Sequence, residues 1–182
     1  MAREYITVGA VGTDYSDLLG KDDYFSFPNL MITTVFKTRL TALLKAYQTV
    51  ICMTGMNKGV DILFGIASVE LKKYYGDRVR IYVLNPSDTY ISTLSGEERG
   101  ICETIRWHAD NEQLYHVGAR LSITERNTIQ QRIVRDIATT IQEAYVVGSR
   151  IPEGVGKVLL EGATNGKQIH PISTGVRVRT DG

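Results

Sequence analysis

The sequence predicts an α/β fold with a mainly parallel sheet of five or six strands. Short apolar runs alternate along the chain with longer segments in which apolar residues recur every three or four positions. The first pattern indicates strands and the second indicates amphipathic helices. The clearest apolar runs also lack the in–out alternation of half-exposed strands, as is typical of strands covered on both faces. Strands that alternate with helices form β-α-β units, and such units build parallel sheets.

The elements follow one another in a regular order. We predict strands at residues 6–11, 49–53, 79–84, 113–117, 144–147 and 168–172. We predict helices from residue 29 to about 47, and over 60–75, 97–110, 122–141 and 155–163. Asn29 is the expected cap of the first helix, and Ser122 with Glu125 forms the capping-box pattern that opens the fourth. The tail after Thr174 carries no periodicity.

Length and composition predict one globular domain spanning residues 1–182. The formal net charge is only +1, so composition does not favour a nucleic-acid partner or an anionic membrane surface. No apolar run approaches the roughly 18–20 residues of a membrane span, and the N-terminus lacks a signal-peptide pattern. We therefore expect a cytoplasmic protein with no membrane partner.

The metal-binding residue types are scattered. Cys52 and Cys102 stand alone and do not form a C-x-x-C motif, so they predict neither a disulfide framework nor a zinc site. His108, His116 and His170 show no usual ligand spacing. We expect no metal site and no cofactor.

A glycine turn, residues 54–61, follows the second predicted strand. Gly55 and Gly59 would allow a tight turn whose backbone N–H groups face a ligand. The other interpretation is a plain strand-to-helix connection in which Gly59 permits close packing and Asp61 favours the helix N-terminus. The residues do not decide between these interpretations. Lys58 is equally compatible with a phosphate contact and with a solvated position.

A second glycine turn, residues 152–157, follows the fifth predicted strand. A Walker A loop needs a glycine where Ile151 stands and a serine or threonine where Val158 stands, so the sequence does not predict a Mg-ATPase. Gly9 and Gly12 at the first strand do not complete a dinucleotide fingerprint, although they would let a ligand approach that strand.

Arg126 and Asn127 lie in the first turn of the fourth predicted helix. The ordinary interpretation is that both are surface residues beside the capping box. The functional interpretation is that Arg126 meets an anionic group of a ligand.

Several of these motifs, in the same order, resemble those of the SLOG superfamily, which includes Smf/DprA proteins, YpsA-like proteins and the LOG phosphoribohydrolases. Thr54-Gly-Met-Asn-Lys-Gly-Val-Asp61 is similar to the superfamily's turn after the second strand. Glu125-Arg126-Asn127 resembles the element that opens the helix before its penultimate strand. Pro152-Glu-Gly-Val-Gly156 is similar to its PGGxGT turn, and Gly166-Lys-Gln-Ile-His-Pro-Ile172 to its closing strand. The GVD form of the first turn and the Arg-Asn pair place the chain nearer YpsA and DprA than LOG.

The resemblance implies a Rossmann-like three-layer sandwich that binds a nucleotide or nucleotide-derived ligand. In LOG enzymes the PGGxGTxxE motif holds phosphate, and its glutamate with an arginine serves hydrolysis. Here Glu153, Lys157 and Leu160 stand where that motif has glycine, threonine and glutamate. Glu161 follows one residue late, about 100° around a helix. The lost carboxylate argues against hydrolysis of an N-glycosidic bond.

Our leading hypothesis is a non-catalytic binding protein for a nucleotide-type ligand, a sensor or sequestering module that forms a homo-oligomer, either a dimer or a tetramer. The first alternative is a nucleoside 5′-monophosphate phosphoribohydrolase that uses Arg126 and Glu161. The second is a DprA-like DNA-binding module, which the neutral charge disfavours. The expected ligand-binding residues are Gly9, Gly12, Gly55, Met56, Asn57, Lys58, Gly59, Asp61, Arg126, Asn127, Gly148, Pro152, Gly154, Val155, Gly156 and Lys157.

Overall fold

The computed structural model describes residues 3–12, 18, 20–21, 23–87, 89–115, 121–148 and 167–172. In this part of the chain, strands and helices alternate up to the last two strands. The strands are β1 (Arg3–Gly12), β2 (Tyr47–Thr54), β3 (Val79–Asn85), β4 (Asn111–Leu114), β5 (Glu143–Val147) and β6 (Gln168–Ile172). The helices are α1 (Phe27–Ala46), α2 (Val60–Tyr75), α3 (Gly96–Trp107) and α4 (Ile123–Thr140).

The six strands form one sheet in the order β4-β3-β2-β1-β5-β6, and all five pairings are parallel. The chain builds outward from β1 to β4 and then returns to place β5 on the other side of β1. The strand order therefore reverses between β1 and β5. This arrangement confirms the predicted α/β class and the mainly parallel sheet.

Helices cover both faces of the sheet. Side chains of α1, α2 and α3 share one apolar core with residues of the strands, including Phe36, Phe64 and Tyr145. The Phe36 and Phe64 rings meet edge to face with centroids 5.3 Å apart. Ile137 and Ile141, at the end of α4, pack with a second set of strand side chains. The result is a Rossmann-like three-layer sandwich.

Local sequence signals account for several element bounds. Gly59 and Gly76 bracket α2 with φ angles of 97° and 60°, which favour glycine, and the observed helix matches the prediction. The capping box at α4 is also confirmed: the Ser122 backbone N–H donates to Glu125 Oε2 at 2.8 Å, and the Glu125 N–H donates to Ser122 Oγ at 3.3 Å.

Two sequence-based expectations are wrong. Asn29 does not cap α1, since the helix begins at Phe27 after Ser26. Asn29 is instead buried and donates from Nδ2 to the carbonyls of Lys21 and Asp23, so its polar side chain anchors the preceding loop. The fourth strand lies at residues 111–114 rather than 113–117, because it is a short exposed edge strand without an apolar pattern.

The predicted helix at 155–163 and the tail after Thr174 lie outside the described residues. In the part of the chain that the structure describes, no helix combines the length and the apolar character needed to cross a membrane.

Candidate functional site

Three elements converge at the carboxyl edge of the sheet, beside the point where the strand order reverses. Gly12 ends β1 and pairs with Val147 at the end of β5. A Cβ built on Gly12 would lie 2.9 Å from Val60 Cβ at the start of α2 and 3.1 Å from Val147 Cβ. Only a residue without a side chain fits between them. In open parallel sheets, ligands bind in the crevice beside such a reversal.

Gly9 also has a packing role. A Cβ at this position would lie 3.2 Å from Ile141 Cγ1 and closer still to its Cδ1. Side chains of the protein thus fill the space beside both β1 glycines. Contact between a ligand and Gly9 or Gly12 remains a prediction.

The turn after β2 closes around the carboxylate of Asp61. This carboxylate accepts a hydrogen bond from Asn57 Nδ2, which lies 3.0 Å from Oδ2. The nearby backbone N–H groups of Gly55 and Asn57 also favour its charged form. Burial raises the pKa of Asp61 to about 6, against the opposing effect of these donors. The group is therefore mostly ionised at neutral pH.

Further bonds fix the middle of the same turn. The Met56 N–H donates to Thr54 Oγ1 at 3.1 Å, and Thr54 Oγ1 donates to the Asp61 carbonyl at 3.0 Å. Tyr90 OH donates to the Met56 carbonyl at 3.2 Å. Met56 is fully buried and takes a φ of 54°, in the left-handed region that a side chain rarely adopts. The turn is thus held in a single strained conformation.

A buried polar network secures the end of the turn. Tyr24, which is fully buried, accepts a hydrogen bond from the Gly59 N–H at 3.2 Å and donates to Glu98 Oε1 at 3.3 Å. The other Glu98 oxygen lies 3.0 Å from Lys58 Nζ and 2.9 Å from Ser95 Oγ. This network joins the turn to α3 and to the loop before α1.

The electrostatics of the network follow from burial and pairing. Desolvation alone would raise the pKa of Glu98, but Lys58 and Ser95 outweigh it and hold that pKa below its usual value. Desolvation likewise raises the pKa of Tyr24, so its hydroxyl stays protonated. At neutral pH the charged groups in and around the turn therefore include the ionised pair Lys58–Glu98 and, separately, the Asp61 carboxylate.

These contacts involve residues that the sequence predicts as ligand-binding. Two backbone donors of the turn, at Met56 and Gly59, donate to side chains of the protein. Lys58 is ion-paired with Glu98 while its own side chain stays 39% exposed, and contact between Lys58 and a phosphate remains a prediction. The turn is held by these internal contacts, and contact of its residues with a ligand remains a prediction.

The remaining expected site residues within the described ranges, Gly148, Arg126 and Asn127, lie outside the turn after β2. Gly148 follows β5 with a φ of 94°, in the region that favours glycine. Its N–H donates to the Ile172 carbonyl at 3.0 Å. Arg126 and Asn127 are exposed in the first turn of α4, on the opposite face of the sheet from α2. Their contact with a ligand stays a prediction.

The second glycine turn falls outside the described residues, as does the displaced glutamate of the hydrolase hypothesis. The expected site residues in this region are Pro152, Gly154, Val155, Gly156, Lys157 and Glu161.

The described residues include no group of three or more His, Cys, Asp or Glu side chains placed to hold a metal ion. Cys52 and Cys102 are both buried free thiols, and burial raises the pKa of each to about 12. A thiol that stays protonated is a poor nucleophile.

No protein-family model matches the chain, and no curated protein matches it.

Sequence reasoning missed four residues that contact the turn or its polar network: Tyr24, Tyr90, Ser95 and Glu98. One signal was present, because Ser95 and Glu98 have capping-box spacing and form that box at α3. The bonds of Tyr24 and Tyr90 to the turn span 35 and 34 residues of sequence, and a local pattern does not reveal them.

Proposed function

We propose that this protein binds a nucleotide or nucleotide-derived ligand in the crevice beside the ends of β1 and β5, as a sensor or sequestering module. The observation that carries the proposal is the reversal of strand order between β1 and β5, at the same carboxyl edge of the sheet as the turn of residues 54–61. Parallel sheets of this kind bind nucleotides at this position.

The rigid turn of residues 54–61 supports the same proposal. Its hydrogen bonds to the side chains of Asp61, Thr54, Tyr24 and Tyr90 would keep one wall of the proposed crevice in place before any ligand arrives. A pre-formed wall lowers the entropic cost of binding. The resemblance of this turn to that of the SLOG superfamily gives independent reason to expect a nucleotide-type ligand.

Native mass spectrometry of the purified protein, followed by thermal shift with a nucleotide panel, tests the proposal. The panel holds nucleoside mono-, di- and triphosphates, cyclic nucleotides and ADP-ribose. We expect a retained mass of nucleotide size or a clear rise in Tm with at least one of these compounds. The same spectrum reports the subunit count, for which we propose a dimer or tetramer. A protein that retains no ligand and whose Tm is unchanged across the panel contradicts the proposal.

The same samples address catalysis. A binding module releases no free base from AMP, GMP, CMP or UMP over hours of incubation. Release that is lost in Glu161→Gln would replace the binding proposal with the hydrolase alternative.

A further inference from the structure

The outer face of helix α1 exposes large apolar side chains at its N-terminal end. Phe27, Leu30 and Met31 are 76%, 40% and 50% exposed, and Phe25, just before the helix, is 51% exposed. Residues three and four apart on a helix are neighbours, so the three helical side chains form one patch. Single exposed apolar residues are ordinary on a protein surface, whereas a patch is typical of an interaction surface.

The same face continues along α1 with small side chains. At about 100° per residue, one stripe of the helix surface contains Phe27, Met31, Thr34, Thr38 and Ala42. Thr34, Thr38 and Ala42 are exposed. The two threonine hydroxyls donate to carbonyls of the preceding turn, at 2.8 and 3.0 Å. Because these hydroxyls are satisfied within the helix, a partner on this face does not have to supply hydrogen bonds.

The outer face of α1 also lacks charge in its N-terminal half. Residues 24–36 include no charged side chain. Lys37, which follows this segment, is paired with Glu70 of α2 at 2.7 Å. A second copy of the chain would therefore bring no like charge against this half of the face, and a charged partner would find no opposite charge there.

Large and small side chains are arranged so that the face is complementary to itself. In an antiparallel pair of α1 helices related by a two-fold axis beside Thr34, Phe27 lies opposite Ala42 of the second copy. The same register places Met31 opposite Thr38. Each contact sets a large side chain against a small one, which favours close packing of two helices. A two-fold axis forms each of these contacts twice.

The exposed area is of the size that a dimer needs. The four large apolar side chains at residues 25–31 leave on the order of 400 Å² accessible. A specific interface buries roughly 800 Å² per partner, of which a polar rim forms part. The apolar centre of a dimer interface is thus already present on this face.

We propose that this protein forms a two-fold dimer through the outer face of α1, with a second copy of the chain as the partner and the two helices antiparallel about Thr34. The inference gives the proposed homo-oligomer a defined surface. It does not depend on which ligand the protein binds.

Sedimentation equilibrium tests the surface. The wild-type protein is expected at twice the chain mass, and Met31→Glu is expected to raise the dimer Kd about thirtyfold or more, because an unpaired charge enters the contact. Trp107→Glu introduces the same charge at a residue that is 87% exposed at the end of α3, and it is expected to keep the wild-type Kd. A wild-type protein that stays monomeric at submillimolar concentration, or equal effects of the two variants, overturns the inference.

A pair of complementary variants tests the antiparallel register. Phe27→Glu and Ala42→Lys are each expected to be monomeric where the wild type is dimeric, since each charge meets an apolar side chain. Mixed in equal amounts, they are expected to form a heterodimer, in which the introduced carboxylate faces the introduced ammonium. Native mass spectrometry distinguishes the heterodimer from either homodimer by mass. A mixture that stays monomeric overturns the proposed register.

Oxidation of Met31 by peroxide provides a readout on the wild-type protein alone. Met31 is 50% exposed, and its oxidation is expected to slow as concentration rises through the dimer Kd. Met53, which is 7% exposed, is the internal reference. An oxidation rate at Met31 that does not change as the dimer forms overturns the inference even if the variants do not fold. These readouts use no nucleotide, so their failure leaves the proposed nucleotide binding standing.

Discussion

Lys58 and Glu98, forty residues apart in sequence, form an ion pair of 3.0 Å whose carboxylate is only 4% exposed. The pair ties the turn after β2 to the first turn of α3. Glu98 also accepts from Tyr24 and Ser95, so one side chain joins three segments at the carboxyl edge of the sheet.

A double-mutant cycle should measure the coupling in this pair. We expect Glu98→Gln to lower the free energy of unfolding by roughly 1–3 kcal/mol, because buried partners lose a charged acceptor. We expect a coupling of about 1 kcal/mol with Lys58→Met, reduced by the partial exposure of Lys58. Urea unfolding of the wild type, both single variants and the double variant provides the measurement.

The exposed pair Lys37–Glu70, at 2.7 Å, is a matched control. Its two side chains are 36% and 43% exposed, and its coupling should not exceed about 0.5 kcal/mol. Equal coupling in the two pairs would contradict the importance assigned to Lys58–Glu98.

Removing the Tyr24 hydroxyl should destabilise the end of the turn at Gly59, and with it the folded protein. Tyr24→Phe leaves the buried Gly59 N–H without its acceptor, at a cost of about 1–3 kcal/mol in the free energy of unfolding. Tyr74→Phe removes a hydroxyl from a residue that is 82% exposed and should change stability by less than about 0.5 kcal/mol. Chemical denaturation of both variants gives the comparison, and similar effects would contradict a structural role for Tyr24.

The contact between Gly12 and Val60 makes a compensating substitution informative. Gly12→Ala should destabilise by about 1–3 kcal/mol, because its Cβ overlaps the Val60 side chain. Gly12→Ala combined with Val60→Ala should be clearly more stable than the sum of the two single effects predicts. Thermal and urea unfolding check this.

Gly100→Ala is the control for the glycine substitution. A Cβ at this exposed position in α3 meets nothing within 4 Å, so alanine should stabilise the protein by about 0.5–1 kcal/mol. Strictly additive effects of Gly12→Ala and Val60→Ala would show that the two residues are not in contact.

Asp61 should make the free energy of unfolding decrease as pH rises. Its pKa of about 6 in the folded protein lies above the 3.8 of an unperturbed aspartate. The protonated folded form is thus favoured, so this contribution to stability is fully present below pH 3.8 and is lost as pH rises through 6. The free energy of unfolding of the wild type relative to Asp61→Asn should fall by on the order of 2 kcal/mol across this window.

Urea unfolding at several pH values between 4 and 7.5 measures this difference. Asp77→Asn should run parallel to the wild type over the same range. A wild-type stability that rises with pH relative to Asp61→Asn would contradict the assigned pKa shift.

The sequence predicted the fold well where local signals and burial agree. Glycines stand at both caps of helix α2 and mark where it begins and ends. The strands β2 and β3, which lie between helices, contain apolar runs that predict them. Prediction was wrong at Asn29, where a good capping residue serves a tertiary contact instead. It also misplaced β4, whose exposed edge position removes the apolar pattern.

The candidate site was only partly predictable. The turn of residues 54–61 and its location followed from the glycine spacing and the parallel sheet. The direction of its backbone donors did not, because the Met56 and Gly59 N–H groups donate to the side chains of Thr54 and Tyr24, and Tyr24 is distant in sequence.

Backbone amide mapping by NMR tests the central claim most directly. The ¹⁵N-labelled protein is titrated with the nucleotide that raises its Tm most in the panel. Binding in the crevice predicts saturable shifts centred on Gly12, Val60 and Gly148, with Gly76 and Gly100 unaffected. Shifts centred on Gly76 or Gly100, or none with any nucleotide of the panel, would contradict a nucleotide site between β1 and β5.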